Sequence, residues 1–302
     1  RLHDRWNFDL VHQVSFCGYR EPGYTWQLPA PFVIGPVGGT HNFPLAFLSQ
    51  LDLGGALREL ARNVANFVQF RYRRRVARAY RQAAVVLAAN RTAQQDLQKV
   101  LGVSAERQLE TGIAARQLSA GSGANGPDEA DRRRPGEPLR ILWAGRLRSW
   151  KALPLLLKAL SQMPSDVDYQ VRVLGEGPCE KRWKDMAARL GVASHLEWVG
   201  WPAYDETIPQ YRWADVFAFT SLRDTSGTGL LESLAAGVPI VGLDHQGAAD
   251  IMTDRCAVKI PAVGPAAAIA ALRDALAALA TQPDRLSQLK HGARQRASEY
   301  LW

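Results

Sequence analysis

Asp224 and Glu232 are separated by seven residues in the stretch Ser221-Leu-Arg-Asp224-Thr-Ser-Gly227-Thr228-Gly229-Leu-Leu-Glu232, which leaves a short apolar run, turns, and enters a helical pattern. An ionised carboxylate accepts hydrogen bonds from two adjacent hydroxyls at once, which suits the vicinal hydroxyls of sugars. Gly227, Thr228 and Gly229 are suited to offer backbone N–H groups there. An acidic helix cap followed by an exposed helical glutamate is the alternative reading of the same residues. A second loop, Gly145-Arg146-Leu-Arg-Ser-Trp-Lys151, places two cations about one loop apart beside a helix start. Point charge, N–H groups and the helix dipole together favour a diphosphate there, and two solvated surface cations fit the residues equally well. The third loop, Gly175-Glu176-Gly177-Pro178, reads first as a plain tight turn, and a lone G-x-G adds little more.

The elements that must hold these loops alternate. Runs at 139–144, 169–174, 195–199, 215–220 and 239–243 read as strands, separated by helical tracts near 152–162, 179–190, 205–213 and 229–236. Five strands alternating with helices predict a parallel doubly wound sheet, whose ligands bind at the C-terminal strand ends. The first half predicts strands at 8–14, 31–34 and 83–89 and one long helix over 54–82. A Gly/Pro-rich, charge-mixed stretch at 119–138 reads as a linker, giving domains at 1–118 and 139–302.

Composition narrows the classes further. With 302 residues, 47% hydrophobic and 22% charged, the chain is globular, and disordered, collagenous and disulfide-stapled classes are excluded. Cys17, Cys179 and Cys256 lack C-x-x-C spacing and suit a reducing, cytoplasmic compartment. No D-x-D or His/Cys/Asp cluster suggests a metal, so neither metal nor cofactor is expected. The net charge of +8 is concentrated in residues 1–138, so a partner of that region should be anionic.

In order and spacing, A-G-R-L…K at 144–151, L-G-E-G-P at 174–178, V-G-W-P at 199–202, A-D-V-F-A-F-T-S at 214–221 and the acid-seven-acid loop ending L-E-S-L-A-A-G-V-P-I-V resemble the nucleotide-binding domain of glycosyltransferase family 4. The resemblance implies a GT-B fold, two Rossmann-like α/β domains facing across a cleft, and a retaining transfer of a hexosyl group from a nucleotide diphosphate sugar to an acceptor hydroxyl. It implies that Arg146 and Lys151 neutralise the donor diphosphate, that Asp224 contacts the donor sugar, and that Glu232 holds the ribose hydroxyls. Gly227, Thr228, Gly229, Leu230 and Gly175 would complete the donor site. The family usually carries glutamate at the first acid, so Asp224 is one methylene shorter than its pattern.

P-F-V-I-G-P-V-G-G-T-H at 31–41 is similar to a loop of a bacterial subset of that family, which implies that Gly38, Gly39 and His41 face the donor from the other domain. A structural histidine is the equal reading for His41 and His12, and 89–92 and 110–113 are assigned structural roles. By the same resemblance the chain is a fragment, lacking the start of its first domain and its closing helix. Residues 58–81 hold eight arginines and one acid, Glu59, with Val64, Val68, Tyr72, Val76, Ala79 and Ala83 at three-to-four spacing. This predicts an amphipathic basic helix: a solvated face, or a dock for anionic lipid headgroups near a glycan or lipid-linked acceptor. Nucleic acid is not expected, since stacking aromatics and binding motifs are missing. A GT-B sugar-nucleotide epimerase and a non-catalytic nucleotide-sugar or membrane-binding remnant are the competing readings. A dinucleotide oxidoreductase is excluded by the lack of G-x-G-x-x-G after a first strand.

Overall fold

A computed structural model of the chain describes residues 6–14, 18–118, 134 and 136–301. The linker expected at 119–138 therefore lies almost wholly outside the described residues, as does Cys17. The chain divides into two compact units. One holds residues 1–43, 53–111 and 223–226; the other holds 44–52, 112–222 and 227–302.

The first unit runs β1 (Val11–Gln13), β2 (Phe32–Val37), α1 (Leu53–Tyr72), α2 (Arg74–Gln82), β3 (Val85–Ala88), α3 (Arg91–Asp96) and β4 (Glu106–Arg107). Its four strands pair in parallel in the order β1-β2-β3-β4. Phe32, Ile34 and Val37 pack with Phe70, Val76, Tyr80, Val86 and Leu97 in its core.

The single helix expected over 54–82 is two helices, broken at Arg73, whose backbone is extended. The physical reason lies in the buried faces. α1 buries Gly55, Glu59, Asn66 and Phe70, whereas α2 buries Val76, Ala79 and Tyr80. At ~100° per residue these sets lie about a quarter turn apart on a straight helix, so one rod cannot bury both. The expected apolar stripe is corrected accordingly: Val76 and Ala79 are core, but Val64, Val68 and Tyr72 are exposed.

The second unit runs β5 (Leu139–Ala144), α4 (Leu153–Leu160), β6 (Tyr169–Leu174), α5 (Glu180–Arg189), β7 (Leu196–Gly200), α6 (Tyr204–Trp213), β8 (Val216–Phe219), α7 (Thr228–Ala235), β9 (Ile240–Leu243), α8 (Gln246–Ile251), β10 (Ala257–Ile260), α9 (Pro265–Thr281) and α10 (Pro283–Ser298). The sheet is parallel throughout, in the order β10-β9-β8-β5-β6-β7. β10 is a strand the sequence reading did not identify, because Ala257-Val-Lys-Ile260 is short and carries a lysine. Ile141, Leu142, Val216, Phe217, Ile240 and Val241 are all buried, as expected of central strands covered on both faces. The chain order reverses between β5 and β8, which makes the space beyond their C-terminal ends the ligand crevice of such a sheet.

Asp215, fully buried just before β8, locks this unit. Arg140 of β5 donates to both its oxygens at 3.1 Å, and Lys290 of α10 donates to Oδ1 at 2.9 Å. Burial alone would raise its pKa, yet the bonds and charges of Arg140 and Lys290 win and hold the carboxyl below its ordinary range.

Candidate functional site

Within the second unit three loops leave the sheet at the edge where its order reverses. The loop after β5 carries Arg146, which is exposed, and Lys151, which closes a short 3-10 turn. Lys151 is fixed from the β8 side: Thr220 Oγ1 donates to its carbonyl at 2.8 Å and accepts from Trp143 Nε1 at 2.9 Å. Its Nζ lies 5.8 Å from the Phe219 ring centroid, a cation–π contact at the end of β8.

The loop after β6 is more than a plain turn. Leu147 N–H donates to Glu176 O at 2.9 Å and Cys179 N–H to Leu147 O at 3.0 Å, so backbone pairing continues past the strands. A Cβ at Gly175 would lie 1.9 Å from Gly145 O, and one at Gly177 would lie 2.6 Å from Leu147 O. Gly175 has φ +137°, where a side chain is strained whatever the space. Only glycine lets this loop brace the segment that carries Arg146. Arg146, Arg148, Glu176, Gly177, Pro178 and Trp201 line a cavity of about 390 Å³. Gly175→Ala is therefore expected to cost about 1–3 kcal/mol of stability. Unchanged urea unfolding would contradict it.

The third loop enters α7. Gly227 caps it in the left-handed region, and Thr228 and Gly229 present the first helical amides. Leu230 is fully buried, its N–H bonded to Gly227 O at 2.7 Å, so its side chain supports the turn from the core. Glu232 accepts a 2.9 Å hydrogen bond from Tyr211 Oη. Burial pushes the Glu232 carboxyl above its usual range, and the Tyr211 bond draws it partly back. Sequence reasoning missed Tyr211, since one tyrosine on an amphipathic helix carries no signal of its own. A Cβ at Gly229 would stand 3.1 Å from the Tyr211 hydroxyl, so the Thr-Gly step keeps room for this pair.

Asp224 lies elsewhere in the division of the chain, in the segment 223–226 that belongs to the first unit. Its neighbours are gripped one by one. Arg223 Nη1 donates to both oxygens of the buried Glu59 at 2.8 and 2.7 Å, Asn90 Nδ2 donates to Thr225 O at 2.9 Å, and Ser226 Oγ donates to Glu110 Oε1. Asn90 also caps α3 through Oδ1, which accepts from Ala93 N–H at 2.8 Å. Glu59 had a signal in the sequence, as the lone acid among eight arginines. Arg62, on the same face of α1, is pushed down to about 10 by burial and then by the Arg223 charge.

Gly38 abuts the same segment, for a Cβ there would meet Thr225 Cγ2 at 2.1 Å. Gly39 takes φ +75°, and His41 is buried, with its carbonyl accepting from Arg62 and Asn66 at 3.3 Å each. His12 takes the structural role, its Nε2 bonded to Gly35 O at 2.9 Å. Among the described residues no group of three His, Cys, Asp or Glu side chains is placed to hold a metal ion.

Residues 127–296, more than half of the chain, match the family described as Glycosyl transferases group 1. The chain belongs to that family. This group 1 chain is 31% identical over 194 residues to a D-inositol 3-phosphate glycosyltransferase of Geodermatophilus obscurus, covering 59% of the chain and 41% of that protein. It is 28% identical over 127 residues to the lipopolysaccharide core biosynthesis glycosyltransferase LpsE of Rhizobium meliloti, covering 42% and 36%. It thus spans less than half the length of these curated relatives. Among solved structures, Anabaena Alr3699/HepE in complex with UDP matches with TM-score 0.65 at 16% identity, over 97% of this chain and 75% of that one. Sucrose-phosphate synthase from Thermosynechococcus elongatus matches with TM-score 0.69 at 16% identity, over 99% and 71%. These likenesses give the group 1 chain an α/β fold with parallel sheets, that of the GT-B glycosyltransferases.

Proposed function

We propose that the protein of which this chain is a part is a retaining family 4 glycosyltransferase. It moves a hexosyl group from a nucleoside diphosphate sugar to an acceptor hydroxyl in the cytoplasm, during synthesis of a cell-envelope polysaccharide or glycolipid. The observation that carries the reading is the clustering of the Arg146, Gly175 and Gly227–Glu232 loops at the edge where the six-stranded sheet reverses its order. Arg146, Lys151 and the Thr228 and Gly229 amides are suited to the charge that grows on a departing diphosphate, so no metal ion is required. Asp224, partly exposed between gripped neighbours, positions the sugar, and Glu232 receives the ribose hydroxyls. On same-face attack the departing phosphate takes the acceptor proton. The UDP held by a structural neighbour makes uridine nucleotides the first donors to try.

Calorimetry with UDP, GDP and ADP, then with their sugars, tests the reading. One nucleoside diphosphate is expected to bind, and Arg146→Ala to weaken it by roughly tenfold, the loss of a charge-assisted bond. Asp224→Ala should weaken the sugar nucleotide more than the bare diphosphate. If no diphosphate binds, or if both variants behave as wild type, the site assignment fails.

A further inference from the structure

Over most of its length α1 is amphipathic in the opposite sense to a helix packed on a core, and only Phe70 near its end joins the apolar core. Its inward face carries Glu59, Arg62, Asn63 and Asn66, all engaged in hydrogen bonds or an ion pair. Its outward face carries Leu53, Leu57, Leu60, Val64, Phe67 and Val68, a regular i, i+4, i+7, i+11 stripe. Leu57 is 67% exposed, Val64 63% and Phe67 57%, so the stripe is uncovered along nearly the whole helix. Twenty residues at ~1.5 Å each make it about 30 Å long. A contiguous apolar face of that length on a folded unit calls for a partner.

Charge selects which one. Arg58, Arg71, Arg73, Arg74, Arg78 and Arg81 are exposed on α1, α2 and the break between them, and the one carboxylate of 53–82, Glu59, is buried against Arg223. A second copy of this face would offer those guanidiniums no exposed carboxylate to meet. An anionic bilayer offers apolar depth for the leucines and Phe67 and headgroup phosphates for the guanidiniums. Arg71, with its guanidinium 5.7 Å from the Phe67 ring centroid, sits where depth changes to headgroup. We propose that α1 lies in the plane of an anionic membrane surface, its 53–68 stripe inserted below the headgroups and the arginines of 71–81 bound to lipid phosphates. The helix does not cross the bilayer; no helix among the described residues is long and apolar enough for that.

Flotation of the chain with vesicles tests this, using pure phosphatidylcholine and phosphatidylcholine mixed with phosphatidylglycerol. Binding is expected only to the mixed vesicles, and it should weaken as salt screens the headgroups. Joint Leu57→Ser, Val64→Ser and Phe67→Ser substitution should lower partitioning by about tenfold or more with unchanged thermal unfolding, because all three side chains are exposed. Joint Arg74→Gln and Arg78→Gln should lower it less and flatten the salt dependence. Two outcomes overturn the proposal. Failure to float together with a concentration-dependent dimer that the serine variant dissolves would make the stripe an interface between copies. Failure to float as a monomer would assign it to another segment of the parent protein. Neither bears on the nucleotide calorimetry, so the membrane inference and the donor-site reading stand or fall separately.

Discussion

Asp215→Ala should lower the unfolding free energy by about 3–5 kcal/mol at neutral pH, because it leaves the Arg140 guanidinium and the Lys290 ammonium without their shared carboxylate. Lys290 is itself buried, so water cannot replace the lost partner. The effect depends on pH with a definite sign. The folded pKa of Asp215 lies below the unfolded one, so the carboxylate stabilises the fold above the ordinary aspartate range, and that stability is lost as pH falls through the folded value. Urea unfolding across that range should show wild type and variant converging toward acid. A deficit that is small at neutral pH, or one that does not shrink toward acid, would mean that the three-residue lock contributes little. The lock bears on the proposed donor site because β5 and β8, which it joins, are the strands whose ends carry the Arg146 and Gly227 loops.

Much of the second unit was legible because its strands are short unbroken apolar runs and its turns carry Gly, Pro or Asp. Leu139–Ala144 and Tyr169–Leu174 fall where the pattern puts them. Sheet order was not legible, since pairing is decided by which helix covers which face, and Ala257–Ile260 is too short and too polar to announce itself. In the first unit the pattern misled. A three-to-four apolar spacing normally marks the inward face, but on α1 most inward positions are polar residues bonded to Arg223 and to the 41–43 segment, Phe70 being the apolar exception, and the stripe of 53–68 points out. Periodicity finds an amphipathic helix without saying which side is buried. The same limit applies to Tyr211, Asn90 and Glu59, whose partners lie 21, 135 and 164 residues away along the chain. Gly175 and Gly38 stand where a Cβ would strike another segment, a close approach that their spacing in the sequence does not announce.

Glu232→Gln should weaken nucleoside diphosphate binding by about 1.5–3 kcal/mol, on the order of 10- to 100-fold, if the carboxylate receives the ribose hydroxyls as proposed. Its pH dependence separates this role from a structural one. Burial raises the folded pKa of Glu232, so in the free protein the ionised form costs stability: the contribution is favourable below the unfolded pKa and is lost as pH rises through the folded value. Two ribose hydroxyls donating to the carboxylate supply what burial removed, so ligand should bind the ionised form better and release a proton when binding begins below the free pKa. Wild-type affinity is expected to fall as pH drops from neutral into the mildly acidic range, whereas the glutamine variant, lacking the carboxylate, keeps only the shallower fall that comes from protonation of the ligand's terminal phosphate at about pH 6. Tyr211→Phe deletes the 2.9 Å bond that favours the carboxylate, so it should move the fall in affinity to higher pH while leaving affinity well above that pKa less affected. Parallel profiles for all three proteins would show that Glu232 does not touch the ligand, and its bond to Tyr211 would then serve only to join α6 to α7.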